Sequence, residues 1–434
     1  NRVDSEIMLA SLKNHGFELT MDPKVAEVII VNTCAFLTVA SEESINRILD
    51  LSDFKSSGNC EKLVATGCLT QRYQDSLSKQ IPELDGMLGS NGFEQIPELV
   101  HSMYEGSGHS QVSLHKKPHY KQFEEQARIQ TTPQHFVYLK IAEGCSNMCS
   151  FCNIPSLRGN FSSRSVNSIV TEIRSLTEKG VKEINLISQD TSSYAKDFKN
   201  NTGLATLLKS ISKIEGDFWI RLFYCYPNTF TTEALEIIAG DTRFCRYLDM
   251  PFQHINDDVL KAMNRKIDRA QIENKMQEIK SYLPDAAWRT TFIVGFPGET
   301  EEDFRELMDF VETQRFTRVG VFTYFQEEGT PAATSGTVTL IHFEQLMERM
   351  RPHFSELVGE DAATGLVFQQ LEDHFRFSYG GDSVVADDPG QAVQLIFGTP
   401  GREEESLLQN GGRAAEILRE ILPIPTLWYG VNYV

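Results

Sequence analysis

Three cysteines, Cys145, Cys149 and Cys152, stand four and then three residues apart in the stretch GCSNMCSFCNIP. Thiolates at such spacings can hold metal, pair as a disulfide or act as nucleophiles. A structural zinc site takes four ligands, usually from two paired knuckles, and no second knuckle follows nearby. The odd count disfavours a disulfide framework. A [4Fe–4S] cluster is usually held by four cysteines, so three leave one iron without a protein ligand. An open iron is useful where a small molecule must bind metal directly. Two further cysteines, Cys34 and Cys68, each sit just past a short apolar run, in EVIIVNTC and KLVATGC.

The elements that must position these residues are legible as periodicities. VDSEIMLASLKNHGF carries Val3, Ile7, Met8 and Leu12 at helical spacing, and EVIIVNT reads as a buried parallel strand. A helical stretch from about Leu37 to Leu51 and a strand at 62–66 complete a β-α-β unit. Ligands of open α/β sheets bind outside the carboxyl ends of the strands, so Cys34 and Cys68 can face one site. Residues 103–134 have little periodicity and read as a linker. Six candidate strands then follow with helical patterns between them: 136–142, 183–188, 218–224, 246–250, 288–295 and 318–325. That alternation predicts an incomplete β/α barrel whose active face is again the strand carboxyl ends. The three-cysteine loop directly follows the first of these strands.

Composition bounds the function. A chain of 434 residues predicts two or three domains, and 41% hydrophobic with 23% charged residues describes a globular protein. No apolar run is long enough to cross a membrane, and the first residues lack the features of a secretory signal. Eight cysteines without such a signal point to a reducing, cytoplasmic setting. The net charge of −19 argues against a nucleic-acid partner and for a basic protein one.

The spacing CxxxCxxC, with Phe151 before the last cysteine, closely resembles the radical S-adenosylmethionine superfamily. VNTCAF (31–36), ATGCLTQRY (65–73), IPSLRGNFSSRS (154–165) and GFPGETEEDF (295–304), in that order, resemble the methylthiotransferases within it. ISQDTSSYAKD (187–197) and QEEGT (326–330) resemble the branch that modifies an aspartate of ribosomal protein S12 rather than the branch that modifies an adenosine in tRNA. Glu327 and Glu328 near the active face are expected to repel RNA phosphates and to suit a basic ribosomal protein.

The periodicities and the resemblance, which covers residues 1 to about 333, together give an α/β chain: an N-terminal open parallel sheet domain (1–102), the linker (103–134), a partial (β/α)6 radical S-adenosylmethionine barrel (135–335) and an atypical α+β tail (336–434) that departs from the family. The resemblance implies two [4Fe–4S] clusters and S-adenosylmethionine. Cys145, Cys149 and Cys152 would hold the cluster whose unique iron chelates the cofactor's methionine portion. Cys34 and Cys68 would hold an auxiliary, sulfur-carrying cluster, with a third cysteine expected three residues upstream of Asn1. A 5′-deoxyadenosyl radical would take hydrogen from the aspartate β-carbon, which then captures a methylated sulfur. An electron donor such as a flavodoxin-like protein, S12 as substrate, no membrane and a monomeric state complete the expectation. No catalytic residue beyond the cluster ligands is identified.

Several side chains are candidates for cofactor binding. Gly295, Pro297 and Gly298 resemble the segment that packs on the cofactor's adenine, and a plain strand-to-helix turn with Glu299, Glu301 and Glu302 at a helix N-terminus is the alternative. Arg221 lies in an apolar strand and needs an anion: a cofactor carboxylate, or else Asp249 or Asp190. Gln189, Asp190, Gln253 and His254 fall just past strand ends, with His254 read first as a structural histidine. Cys60, Cys225 and Cys245 lack ligand spacing and read as packing residues.

The tail does not match the TRAM barrel with which the family ends. It has no lysine, and it reads as a helix at 342–358, a hairpin at 375–398 and a helix at 413–422. Two rival functions follow: a tRNA methylthiotransferase, and a truncated or fused remnant that binds the cofactor without transferring sulfur.

Overall fold

Parallel strands buried on both faces need apolar residues at consecutive positions, and the VIIVNT strand at Val28–Thr33 is buried everywhere but at Asn32. This computed structural model describes residues 2–105, 111–113, 127–199, 202–334, 392–397 and 417. They gather into two compact units, one drawn from Asn1–Lys116, Ala127–Thr131 and Tyr379–Val434, the other from Lys117–Gln126 and Thr132–Ser378.

In the first unit the strands Glu18–Leu19, Val28–Thr33, Lys62–Gly67, Gly86–Gly89 and Gln111–Ser113 belong to one all-parallel sheet, with the helix Thr38–Ser52 as the crossover between the second and third. The last of these strands lies in the stretch read as a linker. Ala392–Phe397, from the tail, is also a strand of this sheet. It runs parallel to both neighbours, between Glu18–Leu19 and Val28–Thr33, with Val393 opposite Val28 and Phe397 opposite Asn32. Both its edges are thereby occupied, so it is not the arm of a hairpin. The helices expected at 342–358 and 413–422 and the rest of that hairpin lie outside the described residues.

The helix Arg2–Asn14 buries Val3, Ile7, Met8 and Leu12 as its periodicity predicts, and also Glu6. The Glu6 carboxylate is 2% exposed and accepts from Thr131 N (2.8 Å) and Thr131 Oγ1 (2.9 Å), with Arg128 Nη1 at 3.5 Å. Residues 127–131, also within the presumed linker, are thus fastened to the first helix of their own unit.

The second unit holds the six expected strands: Phe136–Lys140, Glu183–Ile187, Trp219–Leu222, Tyr247–Asp249, Ala287–Val294 and Arg318–Thr323. The first three pair in sequential order, as do the last three, all parallel, and an Ile220–Phe244 bridge joins the two halves. Among the described residues no pairing connects the sixth strand to the first, so the barrel is open. Its helices start where capping side chains stand: Ser165 accepts from Ser168 N, Thr231 from Ala234 N, and Asp268 and Thr300 form reciprocal boxes with Gln271 and Asp303. The core between strands and helices is continuous, from Val137 and Leu139 to Phe292 and Val321.

Replacing Glu6 with alanine removes the acceptor of Thr131 N and Thr131 Oγ1 and the carboxylate beside Arg128. We expect Glu6→Ala to destabilise the first unit by about 3–5 kcal/mol, read as an earlier urea transition; an unchanged midpoint would show that residues 127–131 are not fastened there.

Candidate active site

The three-cysteine loop leaves the first barrel strand through a short antiparallel pairing of Ala142–Glu143 with Ser162–Ser163. Gly144 has φ 73°, and a Cβ there would strike the carbonyl oxygens of Gly159 and Asn160, so only glycine lets the chain turn into the loop. An irregular loop must find partners for its backbone and polar groups elsewhere. Cys145 N donates to Gly159 O (3.1 Å), and Asn147 Nδ2 to Asp190 Oδ2 (2.8 Å) beyond the second strand. Asn264 Nδ2 donates to Met148 O (2.6 Å), Ser150 N to Met263 O (2.9 Å) and Ser150 Oγ to Ala262 O (2.8 Å). Ala332 N donates to Ser150 O (2.9 Å), and Asn153 Nδ2 to Glu328 O (3.0 Å).

The three sulfurs share one electrostatic environment. Burial pushes the Cys145 thiol up to about 11 and the Cys152 thiol up to about 12, with neighbouring cysteines adding to both and Arg265 opposing. Among the described residues no three potential ligands converge on a single metal ion. A four-iron cube takes each thiolate on a different iron, so three thiols close enough to act on one another electrostatically suit it. Loading such a site displaces the thiol protons.

Beside the loop, the Glu143 carboxylate is 1% exposed and holds Lys140 Nζ (2.6 Å) and Arg158 Nη1 (3.4 Å) on one oxygen and Gln189 Nε2 (2.8 Å) on the other. Among the described residues Gln189 Oε1 and Gln253 Oε1 are buried without a hydrogen-bond partner, which leaves two acceptors for a ligand's hydroxyl or ammonium group. Gln253 also has φ 77°, held by Gln253 N to Thr291 O (2.8 Å) and Ile293 N to Gln253 O (2.7 Å). Asp190 accepts from Ser192 Oγ, Ser193 Oγ and Ser193 N besides Asn147, so its oxygens are already engaged.

Two expectations change, for Arg221 and for Glu327. Arg221 meets none of the anions considered: its Nε donates to Glu183 Oε1 (2.8 Å), the first residue of the second strand and so at the amino end, and its guanidinium lies 4.9 Å from the Tyr247 ring centre. Asp249 pairs instead with Arg289 Nη1 (2.6 Å). Glu327 is 1% exposed, so it cannot act as a repulsive surface charge. The turn at 295–299 has a structural job: Glu299 Oε2 accepts from Phe296 N (2.9 Å), Glu299 begins the acidic approach to the helix Glu301–Gln314, and Gly295 and Gly298 take φ of 73° and 92°. The backbone of Gly295, Pro297 and Gly298 still lies just past the fifth strand, as expected. His254 is fully buried; Nδ1 accepts from Asn256 N (3.0 Å), which puts the ring proton on Nε2, 3.7 Å from Glu299 Oε1. It is a structural histidine. Cys60 and Cys225 are buried and Cys245 half-buried, as packing residues would be.

In the first unit Thr33 is in register with Gly67, so Cys34 and Cys68 follow side by side at the carboxyl edge of adjacent strands. Gly67 has φ 103°, and a Cβ there would lie 2.5 Å from Thr33 O. Cys68 is the first residue of the helix Cys68–Gln80. Two thiols of a cluster site can come from this edge.

Sequence patterns did not reveal Asn147, Asn264, Arg265 or Glu143. Polar residues scattered over separate loops have no spacing signal until the barrel brings them together.

Residues 139–311 match the radical SAM superfamily model, and residues 1–89 match an uncharacterised protein family, UPF0004. The chain is 46% identical over 333 residues to the ribosomal protein uS12 methylthiotransferase RimO of Geobacter sulfurreducens, covering 77% of this chain and 74% of that one. To the protein of the same name from Clostridium perfringens it is 48% identical over 340 residues, with the same coverage. Among solved structures, the radical S-adenosylmethionine methyltransferase TsrM of Kitasatospora setae, with cobalamin and a [4Fe–4S] cluster bound, superposes with a TM-score of 0.58 at 17% identity, covering 76% of this chain and 70% of that one. That likeness concerns the fold.

Asp190→Asn keeps the shape of the side chain but sets an amide group against donors that need an acceptor. We expect it to cost about 1–3 kcal/mol and to lower the iron retained after anaerobic reconstitution; wild-type iron retention would show that Asn147 does not depend on this carboxylate. Gly144→Ala is expected to fold less stably, in a thermal melt, because the clash is with backbone oxygens.

Proposed function

The chain belongs to the ribosomal protein uS12 methylthiotransferase family, and from that membership we infer that it transfers a methylthio group to the β-carbon of an aspartate in ribosomal protein S12. The observation that carries this reading is the three-cysteine loop at the carboxyl end of the first strand of an open parallel β/α barrel. The cofactors are S-adenosylmethionine and [4Fe–4S] clusters. When bound, they supply the electron and the radical needed to break an unactivated C–H bond.

The roles of the chain's own residues follow from their surroundings. Cys145, Cys149 and Cys152 are the ligands of the radical cluster, and Cys34 and Cys68 contribute to the auxiliary cluster that carries sulfur. Gln189 and Gln253 offer their unpartnered oxygens to the cofactor's ribose or ammonium group. Gly295, Pro297 and Gly298 border the adenine. Asp190 positions the cysteine loop through Asn147. Arg221, committed to Glu183, takes no part. Residues 1–102 act as the sulfur-carrying domain and 135–335 as the radical core. No described helix is long and apolar enough to cross a membrane. A flavodoxin-like electron donor, a monomeric state and a cytoplasmic location belong to the same proposal.

The test is anaerobic reconstitution with iron and sulfide, followed by incubation with S12 and, separately, with tRNA. We expect the iron bound per chain to fall by about four in a Cys145/Cys149/Cys152→Ala variant, and a methylthio group on S12 that the variant does not install. Modification of tRNA adenosine with S12 untouched would overturn the substrate.

A further inference from the structure

We propose that Arg265 is a positioning residue for the cluster held by Cys145, Cys149 and Cys152: its buried guanidinium donates to the Cys149 sulfur and holds positive charge against the reduced cluster. The inference rests on the cluster reading given above. Arg265 is 7% exposed. Its Nη1 lies 3.6 Å from Cys149 Sγ, its Nη2 donates to Pro251 O (2.6 Å), and its Cζ sits 4.0 Å from the centre of the Tyr226 ring. Lys266 N in turn donates to Tyr226 Oη (3.1 Å), which keeps the ring under the guanidinium. The backbone fixes the base of the side chain through Arg265 N to Leu260 O (2.8 Å) and the left-handed turn at Asn264.

What singles Arg265 out is the anion it lacks. A buried cation needs a countercharge, and other arginines of this unit have carboxylates: the buried Arg158 has Glu143, the buried Arg164 has Glu172, and the half-buried Arg289 has Asp249. Among the described residues Arg265 makes no ion pair with a carboxylate, and its Nε has no hydrogen-bond partner. A carbonyl and a ring face would be served by a neutral donor. The groups that can become anionic beside it are the cysteine thiols, with Cys149 Sγ 3.6 Å from Nη1. Charge and hydrogen bonds at the sulfurs are among the terms that set an iron–sulfur potential. On reduction one electron passes from an external reductant to the cluster, with no bond broken and the guanidinium still protonated, so the positive charge favours the reduced form.

The experiment uses the full chain carrying Cys34→Ala and Cys68→Ala, so that one cluster is read, and compares Arg265 with Arg265→Gln and Arg265→Lys. After anaerobic reconstitution, iron per chain is counted and the cluster is titrated with dithionite under electron paramagnetic resonance. Arg265→Gln is expected to keep its iron while its oxidised-to-reduced ratio at a given potential rises about tenfold, equivalent to ~59 mV for one electron. Arg265→Lys, which keeps the charge, is expected to stay near the parent. An unchanged potential in Arg265→Gln, or an equal fall in both variants, overturns the proposal. If Arg265→Gln cannot hold iron, Arg265→Lys decides: iron retained at the parent potential supports the role of charge, and iron lost there too refutes it. A parent chain that binds no iron would overturn the cluster reading itself.

Discussion

The arrangement of the second unit depends on one constraint: a loop with no regular hydrogen-bond ladder must be held rigid next to buried sulfur. Its backbone and amide groups therefore borrow partners from the second-strand loop at Asp190, from residues 262–264 after the fourth strand, and from residues 328–332 after the sixth. Asp190 lies just past the second strand and residues 328–332 past the sixth, whereas 262–264 close the short helix Asp257–Ala262 that follows the fourth. A barrel is suited to this task because its strands deliver such loops to one rim, while the core beneath them keeps their spacing.

Charge is arranged around the same rim in two ways. Glu143 is a buried anion placed between two cations and an amide, so its cost of burial is offset locally. Among the described residues Arg265 has no carboxylate beside it. The contrast separates charges that hold the scaffold from charges left facing the cysteines. It also explains why Arg221, although it lies in an apolar strand, is of the first kind.

Fold class was largely legible in the sequence because parallel strands buried on both faces announce themselves as apolar runs, and all six barrel strands fall within a few residues of their expected places. The cysteines were legible because ligand spacing within one loop is a local property. The supports were not, since Asn147, Asn264 and Arg265 acquire meaning only through contacts between loops far apart in the chain. Glu327 shows the opposite failure: a pair of glutamates looks exposed by composition, yet the first is buried. The stretch read as a linker looked featureless because its strand, Gln111–Ser113, is short and its ties to Glu6 are made by residues without periodicity, Arg128, Ile129 and Thr131.

The tail strand at Ala392–Phe397 gives the first unit an unusual dependence on time. Residues 18–19 and 28–33 are both made early by the ribosome, but the strand that lies between them is made after the whole barrel. Domains usually fold in the order of synthesis. Here the later domain can close while the earlier one still waits for its missing strand, and the pairing that completes it has the longest sequence separation in the sheet, which slows its formation. The sheet edges left open in that interval would need protection from other chains.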